Sequence, residues 1–354
     1  MQGAPAILFG SAVIRSKATS PRLPPKRCSW KGIVSALREV HLRVESSVDR
    51  TVEQSTGARV RDALLYFSRY FLDRIFRGSM STDGRLTICQ ISDIHCGSAY
   101  FIPDLLERSI LEVNDYEPTA VVISGDLTDA GYRQEFEQAA EYVGRFRCEN
   151  LMVIPGNHDS KNVGYVHFER LFGGRYSVIE FEDAIMVGVD SSEPDLNDGR
   201  VGREHYDFIH ESFANAGDRL KIFVVHHHLI PIPGTGRERN IVFDAGDVLE
   251  LLADAEVDLV LSGHKHVPYA WRLENMFIVN AGTASTTRLR GSTRPCYNVI
   301  EVEDDRVRVF RKYPFKEREL IVDFNSESHE YLHYEEVQGD GRPGDRRRRV
   351  ISSE

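Results

Sequence analysis

The chain has 354 residues, 41% of them hydrophobic, enough for a large core, and no run of about 18 apolar residues marks a membrane span. A net charge of -10 hides an asymmetry, because residues 1–82 carry 14 Lys and Arg against 6 Asp and Glu, a surplus of 8 that leaves -18 on the remainder. An acidic remainder disfavours duplex nucleic acid as a partner, and five scattered cysteines (Cys28, Cys89, Cys96, Cys148, Cys296) without metal spacing exclude a thiolate site and point to reduced thiols in a cytoplasmic protein.

Residues 1–56 have no acidic side chain before Glu39 and carry Pro21, Pro24 and Pro25 among Arg, Lys and Ser. The composition fits a disordered extension, a transit-type segment, or sequence upstream of the true start, for which Met80 is an alternative. Residues 57–79 read as an amphipathic helix: Val60, Leu64, Phe67, Phe71 and Ile75 share one face, and Gly78 follows Arg74 and Arg77 as a stop. That face is open to packing on the rest of the chain, to a second copy in a homodimer, or to peripheral contact with an anionic membrane.

From Arg85 the pattern becomes strand, helix, strand, with strands at 86–92, 119–124 and 151–154 and helices at 103–114 and 133–146, which argues for parallel βαβ units. A short helix near 165–172 precedes a hairpin of 176–181 with 184–190, and short strands at 269–273, 276–280, 297–302 and 307–312 predict a largely antiparallel second half. Residues 316–354 read as a charged tail whose end, with Arg346–Arg349, is expected to be disordered.

Five apolar runs each end in groups of metal-ligand type: Asp93-Ile94-His95, Gly125-Asp126, Gly156-Asn157-His158-Asp159, His226-His227-His228 and Gly263-His264-Lys265-His266. Open α/β sheets place their sites at the C-terminal ends of strands. In an extended segment residues two apart project to one side, so Asp93 and His95 can converge on one ion, as can His264 and His266. Mixed carboxylate, imidazole and amide ligation suits divalent manganese, iron or zinc, and seven candidate ligands suit two ions sharing a carboxylate. Alone, a D-x-H or a single histidine is more often surface or satisfied core than ligand; the weight lies in five motifs in order.

These motifs make the chain resemble the calcineurin-like metallophosphoesterases, whose signature is D-x-H, G-D, G-N-H-D/E, H and G-H-x-H. The resemblance implies a metallophosphoesterase domain over 84–315 with an α/β fold, a four-layer αββα sandwich of two mixed sheets. It implies two divalent ions, one held by Asp93, His95 and His266, the other by Asn157, His226 and His264, with Asp126 bridging. At the triple histidine, Pro231 favours His226 as the ligand and His227 is the alternative. Hydroxide held between the ions would attack phosphorus, His158 would serve the leaving oxygen, and Asp159 would orient that imidazole or support the ligands.

Within the family, Gly-Asp-Leu-Thr-Asp-Ala-Gly puts Ala130 where Ser/Thr protein phosphatases have arginine, which disfavours a phosphoprotein. The segments Asp190-Ser191-Ser192, 199–204 and 280–283 look similar to bacterial class III cyclic-nucleotide phosphodiesterases. The expected partner is thus a small phosphodiester, 3′,5′-cyclic AMP leading. Glycerophosphodiesters, a nucleotide-sugar pyrophosphate and single-stranded nucleic acid are alternatives, and a non-catalytic scaffold on the same fold is the alternative of another class. Loops 191–204 and 231–244, with Arg200, Arg203, Arg237 and Arg239, are expected to shape the pocket.

Overall fold

The computed structural model describes residues 85–233, 235, 241–290 and 293–334; the extension 1–56, the helix expected at 57–79 and the end of the tail lie outside them. Among the described residues, thirteen strands form two sheets. The first contains β1 (Arg85–Ile91), β2 (Ala120–Ser124), β3 (Asn150–Ile154), β10 (Tyr297–Glu303), β11 (Arg306–Lys312), β12 (Arg318–Asn325) and β13 (Tyr331–Tyr334), in the order β13-β12-β11-β10-β1-β2-β3. The second contains β4 (Ser177–Glu180), β5 (Ala184–Val189), β6 (Leu220–Val225), β7 (Leu259–Ser262), β8 (Tyr269–Leu273) and β9 (Met276–Asn280), in the order β4-β5-β6-β7-β9-β8.

Strand alternation sorts the apolar residues into three layers. Leu86, Ile88, Val122 and Ile154 of the first sheet meet Met186, Ile222, Val224 and Leu261 of the second in a middle layer. Cys89, Ile91, Val121 and Ile123 face the other way, onto α1 (Pro103–Asp115), α2 (Arg133–Val143) and α3 (Gly164–Phe172) through Leu106, Ile110, Phe136 and Phe168. Val187, Phe223, Val225 and Val260 likewise face α4 (Tyr206–Ala214) and α5 (Ala245–Asp254) through Ile209, Phe213, Val248 and Leu252. The result is the expected four-layer sandwich.

One expectation is refined and one corrected. The antiparallel pairs expected in the second half are present, β4 with β5, β8 with β9 and β10 with β11, but the second sheet has a parallel centre of β5, β6, β7 and β9 that the sequence did not suggest. The crossovers that make this possible are α4 and α5. Nor is the chain from 316 simply a charged tail, because β12 and β13 extend the first sheet. Its charges pair across strands, Arg318 Nη1 with Glu301 Oε1 at 2.6 Å and Arg306 Nη2 with Asp323 Oδ2 at 2.6 Å.

The middle layer turns polar beneath the C-terminal ends of the strands. Gln90 Nε2 on β1 donates to Ser124 Oγ at 3.0 Å and crosses between the sheets to the Ser262 carbonyl at 3.1 Å, while its Oε1 accepts from Asn298 Nδ2 at 2.8 Å. No helix among the described residues is long and apolar enough to cross a membrane.

Candidate metal centre

All five motifs emerge at neighbouring strand ends. Asp93 and His95 follow β1, Asp126 follows β2 and Asn157 follows β3, all from the first sheet; His226 follows β6, and His264 and His266 follow β7, from the second. The pairs do not converge by extended alternation. Asp93 (φ 55), His95 (φ 54), Asp126 (φ 53), His264 (φ 77) and His266 (φ 56) all have left-handed backbone, a conformation non-glycine residues adopt at a cost and mostly at functional positions. Asp93 and His95 nonetheless join one group, whereas His264 and His266 part, each joining a different one.

The ligand-type atoms fall into three overlapping groups, each within 4.8 Å: Asp93, His95 and His266; His95, Asp126 and His158; Asp126, His226 and His264. In the first, His95 Nε2 and His266 Nε2 approach to 2.9 Å, and His266 Nε2 lies 3.3 Å from Asp93 Oδ1. In the third, His226 Nε2 stands 3.3 Å from Asp126 Oδ2, and Asn157 Oδ1 lies 2.9 Å from His264 Nδ1. Asp126 Oδ2 is also 3.6 Å from His95 Nε2, so one oxygen faces both groups, while its Oδ1 accepts from the His158 amide at 2.8 Å. Glycine permits this closeness: a Cβ on Gly156 would strike Asp126 Oδ1, and one on Gly263 would lie 2.6 Å from Asp93 Oδ2.

These atoms fit cations. His226 Nδ1 donates to the Ser124 carbonyl at 2.7 Å, which leaves the Nε2 lone pair directed at Asp126, buried and without a hydrogen-bond partner. His266 Nδ1 is likewise committed to the Arg288 carbonyl at 2.6 Å, so its lone pair faces Asp93 and His95. Lone pairs and carboxylates converging out of water require positive charge between them. The protonation tendencies report the same field. Burial opposes charge on His226, yet Asp126 overrides it and pushes that ring up to about 9. At His95 burial wins over Asp126 and the ring falls to about 3.

His227, the alternative to His226, stands outside these groups: its Nδ1 is 2.8 Å from Ser191 Oγ and its ring packs against Gly199. His158 sets its ring edge-on to His95 with centroids 4.6 Å apart, its Nδ1 in short contact with the Asp129 carbonyl. Asp159 does not touch that imidazole. Its carboxylate accepts from Leu127 N (3.1 Å), Thr128 N (2.9 Å), Thr128 Oγ1 (2.8 Å) and Gly156 N (2.9 Å), clamping the loop after β2 to the loop after β3. Cys96 is fully buried, and burial pushes its thiol up to about 12, as suits a packing group.

Several supporting residues lie outside the five ligand motifs. Thr283 Oγ1 donates to the Asp93 carbonyl at 2.7 Å and Ser285 Oγ to the Ile94 carbonyl at 2.9 Å, holding the left-handed turn from behind. Lys161 Nζ lies 3.0 Å from His158 Nδ1. The loops 191–204 and 231–244 are joined, since Gly199 bridges to Val242 and its carbonyl accepts from Phe243 N at 2.6 Å. Arg203 pairs with Asp247 at 2.9 Å and Arg200 with Glu204 at 3.3 Å, both on the exposed side, whereas Arg237 and Arg239 lie outside the described residues.

A two-sheet sandwich with histidine and carboxylate clusters sharing one aspartate at its strand ends is the frame of a metal-dependent hydrolase. The calcineurin-like phosphoesterase profile matches residues 86–268, just over half of the sequence, and the chain belongs to that family. It is 24% identical over 253 residues to a probable cyclic nucleotide phosphodiesterase of Coxiella burnetii, covering 68% of this chain and 96% of that one. It is 26% identical over 219 residues to a glycerophosphodiester phosphodiesterase of Enterobacter lignolyticus, covering 58% and 76%. Among solved structures it is similar in fold to the GAP50 anchor of the inner membrane complex of Plasmodium, with a TM-score of 0.51 at 15% identity over 68% of this chain and 88% of that one.

Proposed function

We propose that the protein hydrolyses a small phosphodiester, with 3′,5′-cyclic AMP as its substrate. The observation that carries the reading is Asp126 Oδ2, placed 3.6 Å from His95 Nε2 and 3.3 Å from His226 Nε2, where one oxygen can serve two ions. Asp93, His95 and His266 would hold one ion and Asn157, His226 and His264 the other, with Asp126 between them. Two divalent ions there supply the charge that makes water acidic enough to attack phosphorus near neutral pH and that stabilises the phosphoryl oxygens.

The chain's own groups do the rest. His158, whose Nδ1 meets the Asp129 carbonyl and whose ring stands edge-on to His95, would serve the leaving oxygen through Nε2. Asp159 keeps the segments bearing Asp126, Asn157 and His158 in register. The segments around Gly199 and Val242, which bridge to each other, form the wall against which the alcohol portion of the substrate sits. The diester is supported by the activities named for the Coxiella and Enterobacter relatives, and the second of these makes a glycerophosphodiester the second reading.

The test is a manganese-supplemented panel of a generic diester, a generic monoester, 3′,5′- and 2′,3′-cyclic AMP and glycerophosphocholine, with Asp126→Asn alongside. Preference for 3′,5′-cyclic AMP supports the reading. Diester cleavage without cyclic-nucleotide turnover keeps the mechanism and discards that substrate, and activity that survives Asp126→Asn removes the site.

A further inference from the structure

Asn157 brings an amide to the candidate metal centre, and an amide has two ends of nearly equal shape. A half-turn exchanges Oδ1 with Nδ2, yet only the oxygen carries a lone pair that a cation can use. Oδ1 lies 2.9 Å from His264 Nδ1, on the side of the group formed by Asp126, His226 and His264. Nδ2 donates to Asn197 Oδ1 at 3.3 Å, the one acceptor it has among the described residues. Asn157 is 1% exposed, so water does not set its orientation. Reversal would turn Nδ2 toward the group and leave Oδ1 facing Asn197 Oδ1, oxygen to oxygen.

Asn197 stands on an exposed stretch of loop, and that stretch is tied down on both sides of it. Before it, Asp190 Oδ1 accepts from Ser192 N at 2.7 Å and from Ser192 Oγ at 2.6 Å, with Arg175 Nη1 on the other oxygen at 2.8 Å. After it, Gly199 bridges back to Ser192 and packs on His227 so closely that a Cβ would lie 2.4 Å from Cγ of that ring. The loop is also fastened to the segment that carries Asn157. Asp195 N donates to the Ser160 carbonyl at 3.4 Å, Asp195 Oδ1 accepts from Asn162 N at 2.9 Å, and Ser160 Oγ meets Ser192 Oγ. Asp195 itself is left-handed (φ 60), a strain that these contacts hold in place two residues before Asn197.

Resting on the reading of Asn157 as a ligand of the second ion, we propose that Asn197 is a positioning residue, which holds the Asn157 amide with its oxygen toward the His226 and His264 group. The ligand is buried and the residue that orients it is exposed. The hydrogen bond between them carries the geometry of the loop into the donor set, as partners behind metal ligands do elsewhere.

The experiment titrates manganese into the chelator-stripped protein and reads the free ion by electron paramagnetic resonance, giving two stepwise affinities. Wild type, Asn157→Ala, Asn197→Leu and Asn197→Asp are compared. Leucine keeps the shape without an acceptor, so Asn197→Leu should weaken one ion about 10–100-fold and leave the other within about threefold. Aspartate carries acceptors only, so Asn197→Asp should hold both ions as tightly as wild type, to within about threefold, or more tightly. Equal weakening in the leucine and aspartate variants, or of both ions in Asn197→Leu, would place the effect in the loop as a whole and overturn the proposal. Wild-type affinities in Asn197→Leu beside the loss of one ion in Asn157→Ala refute the role of Asn197 alone. An Asn157→Ala variant that keeps both ions removes Asn157 from the ligands and the proposal with it. No substrate enters these measurements, so failure of the cyclic-nucleotide reading leaves their outcome unchanged.

Discussion

Asp159→Asn should separate a stability clamp from a proton-handling group. The carboxylate takes four donors, two on each oxygen: Thr128 N and Thr128 Oγ1 on Oδ1, Leu127 N and Gly156 N on Oδ2. An asparagine can keep Leu127 N and Gly156 N on its carbonyl oxygen and turn its NH2 toward Thr128, whose hydroxyl can rotate to accept, but the Thr128 amide is then left facing an N–H. An unsatisfied buried donor costs about 1–3 kcal/mol, so the substitution should destabilise by about 2 kcal/mol. For a domain of this size that corresponds to a fall in Tm of roughly 6 °C. Thermal unfolding followed by circular dichroism at neutral pH measures it. Because the loosened segments carry Asp126, Asn157 and His158, turnover should fall on every substrate, with no dependence on leaving group. A Tm within about 2 °C of wild type would refute the clamp, since a buried amide left facing an N–H costs more than that.

Three further outcomes are expected. His226→Ala should lose one of two bound ions by elemental analysis while His227→Ala, which removes the contacts to Ser191 and Gly199 but no atom of the three groups, keeps both; the reverse result would exchange their roles. Gly156→Ala has no left-handed backbone to oppose it, yet its methyl would meet Asp126 Oδ1 and lie 2.8 Å from His226 Cε1. It should fold with a loss of about 1–3 kcal/mol and turn over at least ~100-fold more slowly, as steady-state kinetics on the generic diester would report. Glu112 resists burial through Lys312 Nζ at 2.9 Å, the Phe315 amide at 2.9 Å and Arg108, which hold its carboxyl below the ordinary 4.5. A depressed carboxyl contributes stability above the unfolded value that is lost as pH falls through the folded one. The melting-point gap between wild type and Glu112→Gln should therefore be full at pH 7 and close below pH 4.5, and a gap independent of pH would show that the charge contributes nothing.

The motif residues are legible in the sequence because strands deliver them: each follows an apolar run that can only be a buried strand, and such runs end where α/β sheets bind. What holds the ligands is not legible. Thr283 and Ser285 act through their hydroxyls on carbonyls about 190 residues away in sequence, and Lys161 meets His158 just ahead of two left-handed residues, Asn162 and Val163, that no local propensity favours. The parallel order of the second sheet was hidden because α4 and α5 bury few side chains, Ile209 and Phe213 in one and Ala245, Val248 and Leu252 in the other, too few to show a helical period. In β12 the charges of Arg318 and Asp323 imitate a solvated tail, since pairing across strands leaves no mark on composition.

The candidate ligands divide between the two sheets, with Asp93, His95, Asp126 and Asn157 on one and His226, His264 and His266 on the other. The gap between the groups is therefore a ruler whose length is written elsewhere, in the middle layer where Ile88, Val122, Ile222 and Val224 interdigitate. If the sheets slid by a fraction of an ångström, both groups would be pulled out of shape together with every ligand still in its rotamer. Gln90, bonded to Ser262 across that layer, sits where such sliding would be felt first and acts as the pin of the joint. Substitutions deep in an apolar layer, touching no substrate, can thus retune the chemistry at the rim.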